Sequence, residues 1–284
     1  MFKAYYQLTK PGIIYGNLIT AAAGFLFACQ WHIDFGLLLA TLAGVTLVIA
    51  SACVFNNYID RDIDKLMSRT HERALATGKV PPRSALVYAT TLGVIGFLAL
   101  GLFVNIRVVL LGLIAIFVYV VLYGVTKRRS VHGTLVGSFA GAIPPVAGYV
   151  AVTNRFDTAS LLLFIILVCW QMPHFYAIAI YRFNDYKNAK LPVLPVKYGM
   201  QATKLQILIY IFAFTFSSLL LTVYGYVGFS YFIVMVAIGF YWLYMGLDGL
   251  KISREKNWAK RMFLFSLVVN LTFAITLTLG PILP

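Results

Sequence analysis

Charge is what this sequence lacks. Asp, Glu, Lys and Arg together make up 11% of 284 residues, and only nine of them are acidic. So little polar surface cannot cover a soluble domain of this size. With 61% of its residues hydrophobic and a mean hydropathy of +0.86, the chain reads as an integral membrane protein. Cysteine is scarce as well. Cys29, Cys53 and Cys169 lie in apolar runs without metal-type spacing, so they read as small core residues and exclude a disulfide framework. No Walker-type glycine loop and no Ser-His-Asp arrangement stands out. Low-complexity tracts and soluble linkers are missing too, so a single domain over 1–284 is expected.

What is present is a series of long runs without Asp, Glu, Lys or Arg: 11–33, 35–59, 84–106, 108–126, 130–154, 158–181, 205–247 and 262–284. A spanning helix needs roughly 20 such residues. The run 205–247 is long enough for two, with "YGYVGF" at 224–229 as the turn between them. The expected fold is therefore all-α and polytopic, with nine transmembrane helices. The opening segment carries small residues that would suit a secretory signal, but no soluble mature domain follows it, so it is read as the first span. Alternating the loops across a bilayer puts 21 of the 23 Lys and Arg on one side, leaving Arg107 and Arg155 on the other. By the positive-inside rule the N-terminus is cytoplasmic and the C-terminus faces the opposite side of the plasma (inner) membrane. The net charge of +14 thus follows from topology, and a nucleic-acid partner is not expected.

Two cytoplasmic loops, 60–83 and 182–204, are longer than the other connections and are expected to be functional. The first opens with "VFNNYIDRDIDKLMSRTHER", which holds four of the nine acids. At 100° per residue Cys53, Asn57, Asp60 and Asp64 share one helical face, and Asp62 points away. Two carboxylates and an amide on one face repel unless a cation joins them, and an all-oxygen set suits Mg²⁺ completed by water and phosphate. In the second loop Tyr181, Asp185 and Asn188 share a face in the same way, so two half-sites would meet across a cavity. Asp62 and Glu72 read instead as surface capping and pairing residues. The bases supply the complement: Arg69 and Arg73, Lys127-Arg128-Arg129, and Lys187 with Lys190. A metal with several Arg and Lys is what a diphosphate requires. "KRR" also serves equally well as a topology anchor. His174, in "WQMPHFYAIAI" beside the kinking Pro173, is the remaining candidate. It is either an axial haem contact, a polar wall of a substrate pocket, or a neutral histidine bonded to a carbonyl.

Taken together these segments resemble the membrane prenyltransferases of the UbiA superfamily. The signature NxxxDxxxD is matched by Asn56, Asp60 and Asp64, and "MSRTHERAL" resembles the basic segment that follows it. The second superfamily motif, DxxxD, survives only in part, because Asp185 is followed by Ala189. That departure, with "KRRSVHGTLVGSFAGAIPPVAGY" and "WQMPHF", resembles the haem-directed branch. The resemblance implies nine helices around a central cavity open to the lipid bilayer. It also implies farnesyl transfer from farnesyl diphosphate to a vinyl group of haem B, with Mg²⁺ on Asp60, Asp64 and Asp185. Asn56 would join the diphosphate site, His174 the haem site, and haem A synthase or terminal oxidase assembly proteins would be partners. Two rivals remain: prenylation of an aromatic quinone precursor, and a polytopic transporter, which would be expected to bury ionisable groups near the bilayer midplane.

Overall fold

A computed structural model of the chain describes residues 1–252 and 255–284. Thirteen α-helices follow in order: α1 (Phe2–Leu8), α2 (Pro11–Cys29), α3 (Phe35–Asp64), α4 (Pro82–Phe103), α5 (Ile106–Ile116), α6 (Tyr123–Arg129), α7 (Gly133–Gly141), α8 (Ile143–Thr153), α9 (Thr158–Tyr181), α10 (Phe183–Asn188), α11 (Leu194–Val223), α12 (Phe229–Asp248) and α13 (Glu255–Leu279). A π-helical turn, Phe117–Leu122, joins α5 to α6 in one continuous rod. α7 and α8 likewise form one span, broken where Pro144 and Pro145 can donate no backbone N–H to the preceding turn. Among the described residues this makes nine helical spans long and apolar enough to cross a membrane. The expected turn at 224–229 falls between the ends of α11 and α12.

The face poor in Lys and Arg is organised by capping. Asp34 accepts from the Leu37 backbone N–H at 3.0 Å to start α3, and Asn105 does the same for Val108 and α5. Asp157 starts α9 through a capping box with Ser160. Two of the nine acids are thus committed to helix starts, so they carry no chemistry.

α2 packs on α8, α13 and α3, while α9 packs on α11, α13 and α7, so the first and last spans meet and the bundle closes. The α2–α8 crossing brings backbone against backbone. A Cβ on Gly24 would stand 2.0 Å from the Pro145 carbonyl oxygen, and one on Gly148 would stand 1.9 Å from that of Ala21. Small residues at crossings are how membrane helices gain contact where lipid gives no hydrophobic drive. Outward-facing Leu39, Leu102, Phe103, Phe212 and Phe240 are exposed in the isolated chain, as a lipid-facing belt requires.

Candidate active site

α3 continues past its apolar run to Asp64, one turn beyond the residue where charge begins. Its last turns divide as the helical wheel predicts: Cys53, Asn56, Asn57, Asp60 and Asp64 are buried, whereas the Asp62 side chain is 64% exposed. Charged residues are tolerated on the buried face because cations from three other segments meet them. Lys127 of α6 donates to Asp60 Oδ2, and Arg73 Nη1 lies 2.9 Å from both Asp64 oxygens and 3.2 Å from Asn57 Oδ1. Lys10, in the turn between α1 and α2, donates to Asn56 Oδ1. Burial, reinforced by the neighbouring Arg73 and Lys127, pushes the Lys10 ammonium down to about 8. Arg73 is delivered by the turns of 65–81, which the Thr70 hydroxyl ties back to the Asp64 carbonyl at 3.0 Å.

Below the carboxylates lies a cavity of about 530 Å³. Its wall includes Asn56, Asp60, Asp64, Arg69, Arg73 and Lys127 at the charged end and Val45, Val48, Leu100 and Leu167 along the barrel. The lining of α3 runs from Asp64 back to Val45, about 28 Å at 1.5 Å per residue. The π-helical turn brings Tyr119 and Tyr123 onto the cavity wall, their rings stacked 5.5 Å apart, with Lys127 Nζ 4.9 Å from the Tyr123 ring centre. α9 adds Trp170, Gln171 and His174 to the same lining, and α13 adds Asn270.

The candidates outside the cavity occupy other places. Asp185 and Tyr181 line a separate recess on the basic face, where the Ser68 hydroxyl donates to Asp185 Oδ1 at 2.6 Å. Lys187 and Asn188 in α10, and Arg129, are exposed and line neither hollow. Arg128 holds Asp62 through two 2.9 Å contacts and the Ile59 carbonyl at 2.6 Å, reaching only to 3.7 Å from Asp60. Asn57, expected as a metal ligand, spends its amide on the Leu8 carbonyl at 2.8 Å and its oxygen on Arg73. The expected trio of Asp60, Asp64 and Asp185 is therefore not assembled, and among the described residues no three His, Cys, Asp or Glu side chains gather closely enough to hold a metal. What fits a hard cation is narrower: two buried carboxylates, one of which, Asp60, keeps an oxygen without any hydrogen-bond partner. Lys10, Tyr119, Tyr123 and Tyr186 belong to the cavity wall and were not expected there from sequence. Only Lys10 left a signal, as the single base directly before the first span.

The chain as a whole has counterparts among known proteins. The model of the UbiA prenyltransferase family matches residues 17–268. The chain belongs to the UbiA prenyltransferase family. Relatives of this UbiA chain named protoheme IX farnesyltransferase are 49% identical over 279 residues in Yersinia pseudotuberculosis serotype O:1b (strain IP 31758), covering 98% of this chain and 95% of that one. The relative of that name in Photorhabdus laumondii is 48% identical, covering 100% and 97%. Among solved structures, a digeranylgeranylglyceryl phosphate synthase superposes with a TM-score of 0.82 at 20% identity, covering 99% of this chain and 98% of that one. A UbiA homolog from Archaeoglobus fulgidus, bound to GPP and Mg²⁺, gives 0.72 at 15% identity, covering 97% and 99%. These two likenesses establish that the UbiA fold is shared.

Proposed function

We propose that this UbiA enzyme transfers the farnesyl group of farnesyl diphosphate to a vinyl group of haem B, with addition of water, giving haem O and diphosphate. The observation that carries the reading is the union, in one cavity, of a buried carboxylate–cation cluster at the mouth and His174 in the apolar wall. Relatives nearly half identical over the full chain carry the name of that activity.

The chemistry follows from the residues. Lys10, Lys127, Arg69 and Arg73 all line the cavity, and Lys127 and Arg73 can turn from the carboxylates onto diphosphate oxygens, so the C1–O bond of the farnesyl group breaks towards a stabilised leaving group. Asp60 and Asp64 would hold Mg²⁺, which when bound supplies further charge neutralisation to the diphosphate. The apolar channel would shield the allylic cation from water, and Tyr119 and Tyr123, which line the same cavity, offer the aromatic faces that stabilise cations. The terminal vinyl carbon of haem B forms the new C–C bond with farnesyl C1. The positive charge then rests beside the porphyrin ring, water adds there, and the surplus proton passes to the departing diphosphate. No protein nucleophile is needed. The basic face would be cytoplasmic in the plasma (inner) membrane, with haem A synthase or terminal oxidase assembly proteins receiving the product.

The test is turnover by the purified chain in lipid vesicles, with farnesyl diphosphate and Mg²⁺, offered haem B or an aromatic quinone precursor. Farnesylated haem detected by mass spectrometry, and lost on chelation by EDTA, supports the reading. Prenylation of the aromatic acid in its place overturns it.

A further inference from the structure

His174 reaches across from α9 to Ser266 of α13, with Nδ1 2.7 Å from the serine Oγ. The same Oγ lies 2.6 Å from the Phe263 carbonyl oxygen, a group that can only accept. A hydroxyl has one proton to give. With that proton committed to Phe263, the contact to His174 requires the ring to donate, so Nδ1 bears the hydrogen; in the neutral ring, the form that an apolar aromatic wall favours, Nε2 then bears the lone pair. Ser266 is itself immobilised: it is completely buried, and the Trp170 indole N–H donates to its backbone carbonyl at 2.7 Å. The imidazole is confined by Trp170, 5.1 Å away and stacked, and by Phe263 at 5.0 Å. Among the described residues nothing donates to Nε2, and it is not an enclosed, unsatisfied atom; His174 lines the cavity. An oriented, neutral nitrogen acceptor in an apolar, aromatic wall suits a soft-edged ligand to iron better than a partner for a charged group.

We propose that Ser266 is a positioning residue that fixes His174 as the Nδ1–H tautomer, so that Nε2 serves as an axial ligand to the iron of the haem acceptor. This rests on the proposed function and deepens it by naming the group that anchors the acceptor. The choice of a hydroxyl has a consequence. A carboxylate behind the imidazole would make it more basic and hold haem as a prosthetic group. A serine already donating elsewhere is a modest acceptor, which leaves the iron bond weak enough for a product to depart.

The experiment is a titration of the full chain with haem B in vesicles, without farnesyl diphosphate, read by visible absorption and by the iron–imidazole stretch in resonance Raman of the ferrous form. The wild type is expected to bind haem with an imidazole ligand. His174→Ala removes the stretch, and free imidazole restores it. Ser266→Ala keeps ligation but shifts the stretch and weakens haem binding about tenfold, whereas Ser266→Thr, which retains the hydroxyl, restores both. Retained binding of farnesyl diphosphate at the far carboxylates reports that each variant is folded. An unchanged spectrum in His174→Ala overturns the ligand, and an unchanged stretch and affinity in Ser266→Ala overturns the positioning role. Failure of the wild type to bind haem at all overturns the acceptor reading beneath it.

Discussion

Asp60 and Asp62 are two residues apart on one helix, carry the same charge, and each meets a base from 127–128. They are predicted to differ by orders of magnitude in consequence. The Asp62 side chain is 64% exposed and its partner Arg128 is held independently by the Ile59 carbonyl, so Asp62→Ala removes one solvent-screened ion pair. Such pairs contribute at most about 1 kcal/mol, equivalent to less than roughly a fivefold change in any equilibrium. The Asp60 side chain is only 11% exposed, has Lys127 on one oxygen, and has no hydrogen bond on the other. Asp60→Ala leaves Lys127 and Lys10 uncompensated in the cavity mouth and removes one of two groups able to hold a cation. Loss of a preorganised electrostatic element of this kind lowers rates about 10²–10³-fold. The assay is the initial rate of diphosphate release from farnesyl diphosphate in the presence of haem B, with thermal unfolding as the control for folding. If Asp62→Ala falls within tenfold of Asp60→Ala while both variants remain folded, the assignment of the buried face to chemistry is wrong.

Other perturbations have equally definite signs. Arg73→Ala strands the buried Asp64 carboxylate and releases Asn57; because Arg73 is itself 27% exposed, the loss of stability should sit near the lower end, about 3 kcal/mol, of the range for broken buried pairs, read by denaturant unfolding in detergent. Lys10 should make kcat/KM for farnesyl diphosphate fall as pH rises through about 8, since its cationic form is the one that attracts diphosphate; Lys10→Arg should move that limb upward, and an unchanged profile would remove Lys10 from the site. Gly148→Ala drives a methyl group against the Ala21 carbonyl, where neither backbone can yield, and should cost at least about 1–3 kcal/mol, seen as a lowered Tm.

Most of the fold was legible because a bilayer imposes a simple code. Uncharged length alone located the spans, and "YGYVGF" marked the gap between α11 and α12. The helical face of 53–64 was legible for a similar reason: spacing fixes direction once the segment is a helix, and α3 does run unbroken to Asp64. The partners of that face were not. Lys10 and Asn56 are 46 positions apart, His174 and Ser266 are 92 apart, and no local pattern couples them. The π-helical turn in "FVYVVL" is likewise silent, since β-branched and aromatic residues suit an ordinary apolar helix as well. The neighbours of the second loop were equally silent. Asp185 sits on a short helix just after Tyr181, and the Ser68 hydroxyl of the first loop donates to its carboxylate in a recess distinct from the cavity that Asp60 and Asp64 line. Spacing can place side chains on one face; it cannot say which neighbour that face meets.

The most direct measurement is the product itself. Purified protein in vesicles, supplied with haem B, farnesyl diphosphate, Mg²⁺ and water enriched in heavy oxygen, should yield a haem carrying one farnesyl group and one labelled hydroxyl, with one diphosphate released per product. Diphosphate released without any change in the haem, or a prenylated haem whose hydroxyl is unlabelled, would contradict the account.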